Sequence, residues 1–398
     1  MREIEDIDIT FIGHPFAPIG MGEQMRSHIS ACTALRLHHG VFDIFRYAQR
    51  NDEAHFAVIG DRERQNVPPG IRIFHVNGDE VDSVIAAFEA RGNDFAAGYN
   101  VIVPAWELPH YPSEWAGRLA RFDEVWAISG FVRESLAAAG IGARLIGQSI
   151  ETDPIGFLPR QFFGIRESSF VLMHFLDLTS YAARKNPQAV LDLARLLWAE
   201  QPFLDLQLVL KVKNGERGAE AWAAEFKGDP RVKVIDTPLD TAGTRSLINC
   251  CDCFVSLHRA EGFGRGLGEA MALGKLALGT GWSGNLDFMT AENALLVRHK
   301  LVKLKRDAYP HWQGQSWAEP DVAHAAGLLC PFLRDETRGR ALAVRGQRDV
   351  LRSHGHRAVG LRILARLREI AATSPKFVAQ SGTTPRRGRA APITAAVA

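Results

Sequence analysis

Two glutamates, Glu261 and Glu269, lie eight residues apart in the segment HRAEGFGRGLGEAMALGKLALGTGWSGN, which spans 258–285. Every second residue between them is glycine, at positions 262, 264, 266 and 268. Glycine lets backbone amides come close to a ligand, and the N-terminus of the helix predicted over Arg265–Leu273 attracts anions. A carboxylate accepts hydrogen bonds from paired hydroxyls. The segment therefore predicts a site for a ligand that combines phosphate with sugar hydroxyls.

Two adjacent cations, Arg184 and Lys185, precede the helix predicted over Asn186–Glu200. Cations in a loop that enters a helix are well placed to neutralise a diphosphate. Arg259 stands directly before the glycine-rich segment and is a further candidate for phosphate binding. Its neighbour His258 is interpreted as a hydrogen-bonded structural residue.

Two further segments with polar residues follow predicted strands in the first half of the chain. The loop Pro15–Glu23 carries Gly20 and Gly22, which are interpreted either as loop residues that contact a ligand or as a tight turn. Glu107 and His110 follow the strand predicted over Asn100–Pro104. A structural interpretation, in which Glu107 only accepts hydrogen bonds from backbone amides, remains open.

Buried apolar strands alternate with amphipathic helices, which is typical of open parallel sheets. In the first half, strands are predicted over Ile7–Gly13, Phe42–Phe45, Ile71–His75, Asn100–Pro104 and Phe122–Ile128. In the second half, they are predicted over Phe170–Leu176, Leu206–Val212, Val232–Asp236, Cys253–Leu257, Leu276–Gly279 and Asn293–Val297. Ligands bind beyond the C-terminal ends of such strands. The candidate residues should therefore meet in a cleft between two α/β domains.

The chain of 398 residues is too long for one ordinary core. A stretch rich in proline and glycine near residues 150–168 marks the join between the two predicted domains. We predict a first domain over 1–158, a second over 159–335, C-terminal helices over 336–373 and a disordered tail over 374–398.

Composition excludes several other classes of protein. The net charge of +2 gives no general attraction to nucleic acid. The five cysteines lack the spacing of a disulfide framework or a zinc site, and Asp6-Ile7-Asp8 opens a strand, so no metal is predicted. The sequence shows neither a signal peptide nor an apolar run of about 18 residues. These features predict a cytoplasmic protein, with a peripheral contact to the inner face of a membrane left open.

The frame E-G-F-G-x-G-L-x-E-A-M-A-L-G-K, which begins at Glu261, resembles the family 4 retaining glycosyltransferases of the two-domain GT-B type. Three shorter motifs strengthen the resemblance, which covers roughly residues 7–370: Gly281–Asn285, Arg184–Pro187 and Glu319-Pro320-Asp321. The resemblance implies the GT-B fold, in which two Rossmann-like open parallel-sheet domains face a central cleft and C-terminal helices pack back.

For the donor half of the site, the resemblance implies a role for each matched residue. Glu269 would bind the ribose hydroxyls and Glu261 the donor sugar. The amides that would meet the sugar and phosphates are those of Phe263, Gly264 and Arg265.

The resemblance also implies that Lys185, with Arg184, holds the diphosphate. The family usually has a second cation about six residues before this lysine, where this chain has Thr179. Lys211 or Lys213 is the candidate to replace that cation.

In the other half of the cleft, many relatives have a histidine where this chain has Glu107. Glu107 would then stabilise positive charge at the anomeric carbon, and His110 is the alternative. Gly20 and Gly22 would approach the donor phosphate and the acceptor.

The activity implied is transfer of a hexose from a GDP- or UDP-linked donor to a hydroxyl acceptor, with retention of configuration and without a metal or other cofactor. The acceptor would be a glycan or a lipid-linked molecule in bacterial polysaccharide or lipid-linked glycan assembly. Two alternatives remain open. One is a nucleotide-sugar epimerase of the same fold, and the other is a non-catalytic subunit that binds nucleotide-sugar.

Overall fold

The computed structural model describes residues 7–46, 53–150, 156–178, 180–213, 228–333 and 335–378. Its framework consists of two six-stranded sheets, and every pair of neighbouring strands in them is parallel. An additional antiparallel pair of strands lies outside both sheets. The predicted α/β architecture with two open parallel sheets is therefore confirmed.

The first sheet has the strand order β2-β1-β3-β4-β5-β6. Its strands are β1 (Ile9–Gly13), β2 (Gly40–Asp43), β3 (Ile71–Phe74), β4 (Tyr99–Ile102), β5 (Glu124–Ala127) and β6 (Arg144–Leu145). The helices of this half are α1 (Gly20–Ala34), α2 (Glu53–Ile59), α3 (Val81–Ala90), α4 (Ser113–Leu119) and α5 (Gly130–Ala138). The helix α5 begins where the Ser129 hydroxyl accepts a hydrogen bond from the amide of Val132 at 3.1 Å.

The second sheet has the strand order β12-β11-β10-β7-β8-β9. Its strands are β7 (Phe170–Asp177), β8 (Leu206–Lys213), β9 (Val232–Ile235), β10 (Cys253–Ser256), β11 (Leu276–Thr280) and β12 (Leu295–Val297). The helices described between them are α6 (Ala182–Lys185), α7 (Pro187–Glu200), α8 (Thr241–Asn249) and α9 (Arg265–Ala272). Among the described residues, short 3-10 turns also occur at Gly60–Arg62, Arg160–Phe163 and Gly284–Asp287.

Both faces of the second sheet are buried, which explains why its strands are continuous apolar runs in the sequence. Successive side chains of a strand point to opposite faces. Accordingly, Leu208 and Leu210 of β8 pack in a cluster with helix α7, whereas Val209 belongs to the other cluster of buried apolar residues.

The chain continues through a hairpin of β13 (His299–Lys303) and β14 (Ser316–Pro320) into the last helices. These are α10 (Val322–Leu333), α11 (Glu336–His354), α12 (His356–Thr373) and α13 (Pro375–Val378). The sequence pattern did not reveal this hairpin or the break between α11 and α12. Gly355 interrupts the helix because its backbone is extended, with φ −62° and ψ 158°.

The C-terminal helix α12 packs against α1 of the first half, as the resemblance implied. The Arg362 guanidinium donates to the backbone oxygen of Ile146 at 2.7 Å, and Arg366 forms an ion pair with Glu124 at 2.8 Å. Ordered structure extends past the predicted start of the tail at residue 374, because Phe377 of α13 is buried. The rest of the predicted tail, 379–398, lies outside the described residues.

A glycine allows the close contact between α12 and α1. A Cβ atom at Gly360 would lie 2.5 Å from the backbone oxygen of Ala31. We expect Gly360→Ala to lower stability by about 1–3 kcal/mol, because the added methyl group overpacks a tight contact. Thermal unfolding of the two proteins measures the effect.

The matched control is Gly327→Ala in α10, where an added Cβ meets no atom within 4 Å. This control should raise stability by about 0.5–1 kcal/mol, because alanine favours a helix interior over glycine. Equal effects of the two substitutions would contradict the proposed contact.

Candidate active site

The loops after β7 and β10 meet at one edge of the second sheet. These strands are adjacent in the sheet, although β8, β9 and their connections separate them in the chain. From β7 the chain builds the sheet in one direction through β8 and β9, and then in the other direction from β10. Open α/β sheets bind ligands in the crevice at such a reversal of strand order. Arg184 and Lys185 follow β7, whereas Glu261 follows β10. The fold thus brings the predicted cations and the first glutamate together.

These three side chains form a buried ion cluster. The Lys185 ammonium donates to one carboxylate oxygen of Glu261 at 2.5 Å. The Arg184 guanidinium lies 3.1 Å from the other oxygen. The side chains of Arg184 and Glu261 are only 4% and 10% exposed. Both charges have therefore left water and depend on each other for stabilisation.

Burial by itself would raise the pKa of Glu261, but the charges of Lys185 and Arg184 reverse that effect and lower it from 4.5 to about 2. Burial would likewise lower the pKa of Arg184, and the carboxylates of Glu261 and Glu107 raise it above its ordinary value instead. At neutral pH Glu261 is therefore a carboxylate and Arg184 a cation.

Hydrogen bonds to backbone groups and to two serine hydroxyls fix the position of the cluster. Arg184 donates to the Ala260 oxygen at 3.0 Å and to the Ser180 hydroxyl at 2.6 Å. The Glu261 amide donates to the Ser283 hydroxyl at 3.0 Å, and the Glu261 oxygen accepts from the Gly284 amide at 3.0 Å. Among the described residues, the Arg184 Nε has no hydrogen-bond partner. Leaving this buried donor unsatisfied costs free energy.

Glu107 reaches this cluster from the first half of the chain. One of its carboxylate oxygens lies 3.8 Å from the Arg184 guanidinium, and the other accepts a hydrogen bond from the Tyr309 hydroxyl at 2.5 Å. His110 is exposed, and its backbone is held by Gln315 of the hairpin segment. The structure therefore brings Glu107, rather than His110, to the cations. No sequence pattern indicated the contact with Tyr309, which lies 202 residues further along the chain.

Glu269 belongs to a second charged group at the start of α9. Its carboxylate pairs with Arg265 at 2.8 Å, and the guanidinium also lies 4.0 Å from Glu23 of α1. Glu23 in turn pairs with Arg26 at 2.6 Å. Arg265 thus connects the two halves of the chain. The sequence analysis did not single out Glu23 or Arg26 as site residues.

The four glycines between the glutamates have structural roles that the sequence interpretation did not include. Gly264 precedes α9 with φ +86°, a conformation that L side chains rarely adopt. A Cβ at Gly262 would lie 2.9 Å from the Trp106 oxygen, so this glycine permits close contact with the first half. Side chains of the core occupy the space beside the other two, Gly266 and Gly268. Close packing and backbone conformation therefore account for these glycines without a bound ligand.

Phe263 is buried and packs on Phe288, with ring centroids 5.3 Å apart. Its side chain is part of the core, which leaves its backbone for the predicted ligand contact. Nearby, the Ser129 hydroxyl donates to the Gly262 oxygen at 2.6 Å and fixes this loop against the first half.

Gly20 and Gly22 are helical residues rather than loop residues, which corrects the sequence-based expectation. The helix α1 begins at Gly20, inside the segment Pro15–Glu23 that was interpreted as a loop. A Cβ at Gly22 would lie 2.3 Å from the Ala17 oxygen, whereas Gly20 has open space around it. Gly22 therefore permits the loop to pack on the helix. Gly20 is the more accessible of the two.

The remaining cation candidates have protein partners. Arg259 makes two hydrogen bonds to the Glu319 carboxylate, at 2.6 and 2.9 Å. Lys213 donates to the Pro18 oxygen across the two halves, and Lys211 donates to the Val212 oxygen at 2.9 Å. Thr179 lies outside the described residues.

His258 has the structural role that was expected. Its two ring nitrogens contact Ser256, Trp282 and Asn285 at 3.0–3.2 Å.

Within the described parts of the chain, no three His, Cys, Asp or Glu side chains are grouped so that they could hold a metal ion. The expectation of metal-independent chemistry stays a prediction. Of the helices described, none is both long and apolar enough to cross a bilayer.

Solved structures show what this architecture is similar to. The HepE protein from Anabaena in complex with UDP and glucose has a TM-score of 0.63 and 16% identity, covering 91% of this chain and 100% of that one. Sucrose-phosphate synthase from Thermosynechococcus elongatus has a TM-score of 0.63 and 16% identity, covering 92% and 100%. OtsA has a TM-score of 0.60 and 10% identity, covering 90% and 99%.

No protein-family model matches the sequence, and the comparison with curated proteins yields no match. The two parallel six-stranded sheets and the structural neighbours together establish the GT-B fold. At identities of 10–16% the neighbours establish the fold alone.

The lowered pKa of Glu261 predicts a pH dependence of stability. The folded-state value of about 2 lies below the ordinary 4.5, so its contribution is present above pH 4.5 and is lost as the pH falls towards 2. We expect Glu261→Gln to be less stable than the natural protein at pH 7, with a difference in unfolding temperature that narrows between pH 4.5 and pH 3.

The control is Glu89→Gln, which makes the same change at an exposed position of α3. It should unfold at about the same temperature as the natural protein at pH 7. A difference for Glu261→Gln that stays constant from pH 7 to pH 3 would show that the carboxylate charge is not what stabilises the cluster.

Proposed function

We propose that the protein is a retaining glycosyltransferase that transfers a hexose from a UDP- or GDP-linked donor to a hydroxyl of a glycan or lipid-linked acceptor. The observation that carries the proposal is the buried cluster of Glu261, Lys185 and Arg184 at the point where the order of the second sheet reverses. On a GT-B fold, this crevice offers cations, a fixed carboxylate and a helix N-terminus to one ligand.

The donor diphosphate would bind near Lys185 and the start of α9, where the amides of Gly264 and Arg265 and the helix dipole favour an anion. Arg184 contributes its unpaired Nε. The ribose hydroxyls would bind Glu269. In support, the HepE protein has been solved in complex with UDP, and also with UDP-glucose.

Glu261 would accept hydrogen bonds from the donor sugar. Its pKa of about 2 keeps it ionised at neutral pH, so it cannot act as a general acid. Lys185, now paired with Glu261 at 2.5 Å, would share its protons between that carboxylate and the donor phosphate. Because the carboxylate and the phosphate both attract the ammonium group, the lysine would stay near both.

For the chemical step we propose displacement on one face of the sugar. The bond from the anomeric carbon to the phosphate oxygen breaks, the acceptor oxygen bonds to that carbon, and the leaving phosphate takes the acceptor proton. Fixed cations stabilise the charge that develops on the phosphate, without a metal. Glu107, held between Arg184 and Tyr309, would stabilise positive charge at the anomeric carbon.

The reaction itself can be tested by incubating the protein with UDP- and GDP-hexoses, with and without glycan acceptors, in the presence of EDTA. We expect a glycoside whose anomeric proton, observed by NMR, has the configuration of the donor. An inverted product would refute retention, and a donor sugar altered without an acceptor would identify an epimerase. Nucleotide binding without turnover would identify a binding subunit.

The role of Glu269 predicts a selective loss of affinity. Glu269→Gln should weaken binding of UDP or GDP at least tenfold, because hydrogen bonds from hydroxyls to a charged acceptor contribute about 1.5–3 kcal/mol. Binding of inorganic pyrophosphate, which has no ribose, should not be weakened. Isothermal titration with each ligand measures both affinities.

Glu89→Gln is again the control, since it changes a glutamate of α3 that faces solvent. It should bind both ligands like the natural protein. Unchanged affinity of Glu269→Gln for both nucleotides would remove Glu269 from the ribose site.

A further inference from the structure

The segment between β13 and β14, residues 304–315, crosses from the second half of the chain to the first. Gln315 accepts a hydrogen bond from the His110 amide at 3.1 Å and donates one to the His110 oxygen at 2.6 Å. The ring centroids of His311 and Trp115 lie 4.7 Å apart, and those of Tyr309 and Trp106 lie 5.7 Å apart. These contacts fix the segment on the loop that carries Glu107.

A cavity of about 350 Å³ opens beside this segment. Three aromatic side chains line it, Tyr181, Tyr309 and Trp312, together with the polar side chains of Asp307, His311 and Gln313. The cavity is open to solvent, and its combination of aromatic walls with a few polar groups is typical of binding sites for small molecules.

The backbone around the cavity is held in an uncommon conformation. Seven non-glycine residues of the described chain have positive φ, and three of them line the cavity: Tyr181 at 55°, Asp307 at 58° and His311 at 52°. Such conformations cost about 1–3 kcal/mol each and are concentrated at ligand sites. Here the three positive-φ residues lie outside the sheets, and their backbone conformations fix the directions of the lining side chains.

The lining also limits the chemistry of the ligand. Among the described residues that form it, none is lysine or arginine, and the one carboxylate, that of Asp307, pairs with Arg306 outside the lining at 3.5 Å. A phosphate or a nucleotide would therefore find no counter-charge in the wall. A neutral ring with an apolar face and several hydroxyls fits better, because the face can pack on Tyr181 or Trp312 while Asp307 and Gln313 bond the hydroxyls.

Tyr309 links the cavity to the candidate active site. Its ring forms part of the cavity wall, and its hydroxyl donates to Glu107, which approaches Arg184. The exposed ring of Tyr181 lies 4.8 Å from that of Tyr309, between centroids. Tyr309 therefore lies between the cavity and Glu107, which approaches the ion cluster.

We propose that this cavity binds a sugar unit of the acceptor, so that the acceptor of the proposed transferase is a saccharide. The inference rests on the proposed function, and it identifies the segment 304–315 as the part of the chain that selects the acceptor. The sugar packs against Tyr181 and Trp312, and its neighbouring unit presents the reacting hydroxyl towards Glu107.

The test measures binding of the full-length protein to an array of defined neutral glycans, followed by titration of the best ligand. We expect at least one glycan to bind, and Tyr181→Ala to weaken that binding at least tenfold. Tyr181→Phe, which keeps the ring, should bind within about threefold of the natural protein. Binding of UDP and GDP should be the same in all three proteins.

The matched control is Phe203→Ala, which removes a fully exposed aromatic ring elsewhere on the surface. It should bind the glycan like the natural protein. The proposal is overturned if no neutral glycan binds, if Tyr181→Ala binds like the natural protein, or if Tyr181→Phe loses as much affinity as Tyr181→Ala.

The two proposals can fail separately. Nucleotide binding without glycan binding would refute the acceptor cavity alone, whereas glycan binding without nucleotide binding or sugar transfer would refute the transferase.

Discussion

The pairing of a buried carboxylate with two cations is the constraint on which the rest of the candidate site depends. Removing Glu261 from water is tolerable only because Lys185 and Arg184 are held against it. Loss of one member of a buried ion pair typically costs about 3–5 kcal/mol, since an uncompensated charge remains. The loops after β7 and β10 must therefore stay in register, and the parallel pairing of those two strands ensures that they do.

The same electrostatic balance connects the two halves of the molecule. Arg184 approaches Glu107 from the first half, and Arg265 lies between Glu269 and Glu23. Each arginine therefore has carboxylate neighbours in both halves. On the proposed function, a donor phosphate would compete with these carboxylates for the same guanidinium groups, which would couple donor binding to the relative position of the halves.

The sequence predicted the features that are encoded by patterns within a single segment. It did not predict contacts between side chains that lie far apart in the chain. Runs of apolar residues and glycine loops predicted the sheets, and the spacing of Arg184, Lys185 and Glu261 at strand ends predicted that they would meet. The contact of Tyr309 with Glu107 joins residues 202 positions apart and leaves no periodic pattern. The strands β13 and β14 are short and partly exposed, so no buried alternation revealed them. Gly20 and Gly22 were misinterpreted because glycine normally disfavours helices, whereas packing against Ala17 favours it at position 22.

The antiparallel hairpin has a further consequence for natural variation. Residues 299–320 pair with each other and lie outside both parallel sheets. Substitutions within 304–315 at positions other than Tyr309 and Gln315, which contact the loop of Glu107, therefore alter the wall of the cavity while the order of the sheet strands and the ion cluster are retained. If the cavity binds the acceptor as proposed, mutation in one contiguous stretch of the gene would change acceptor preference, and selection would act on that preference separately from the stability of the fold.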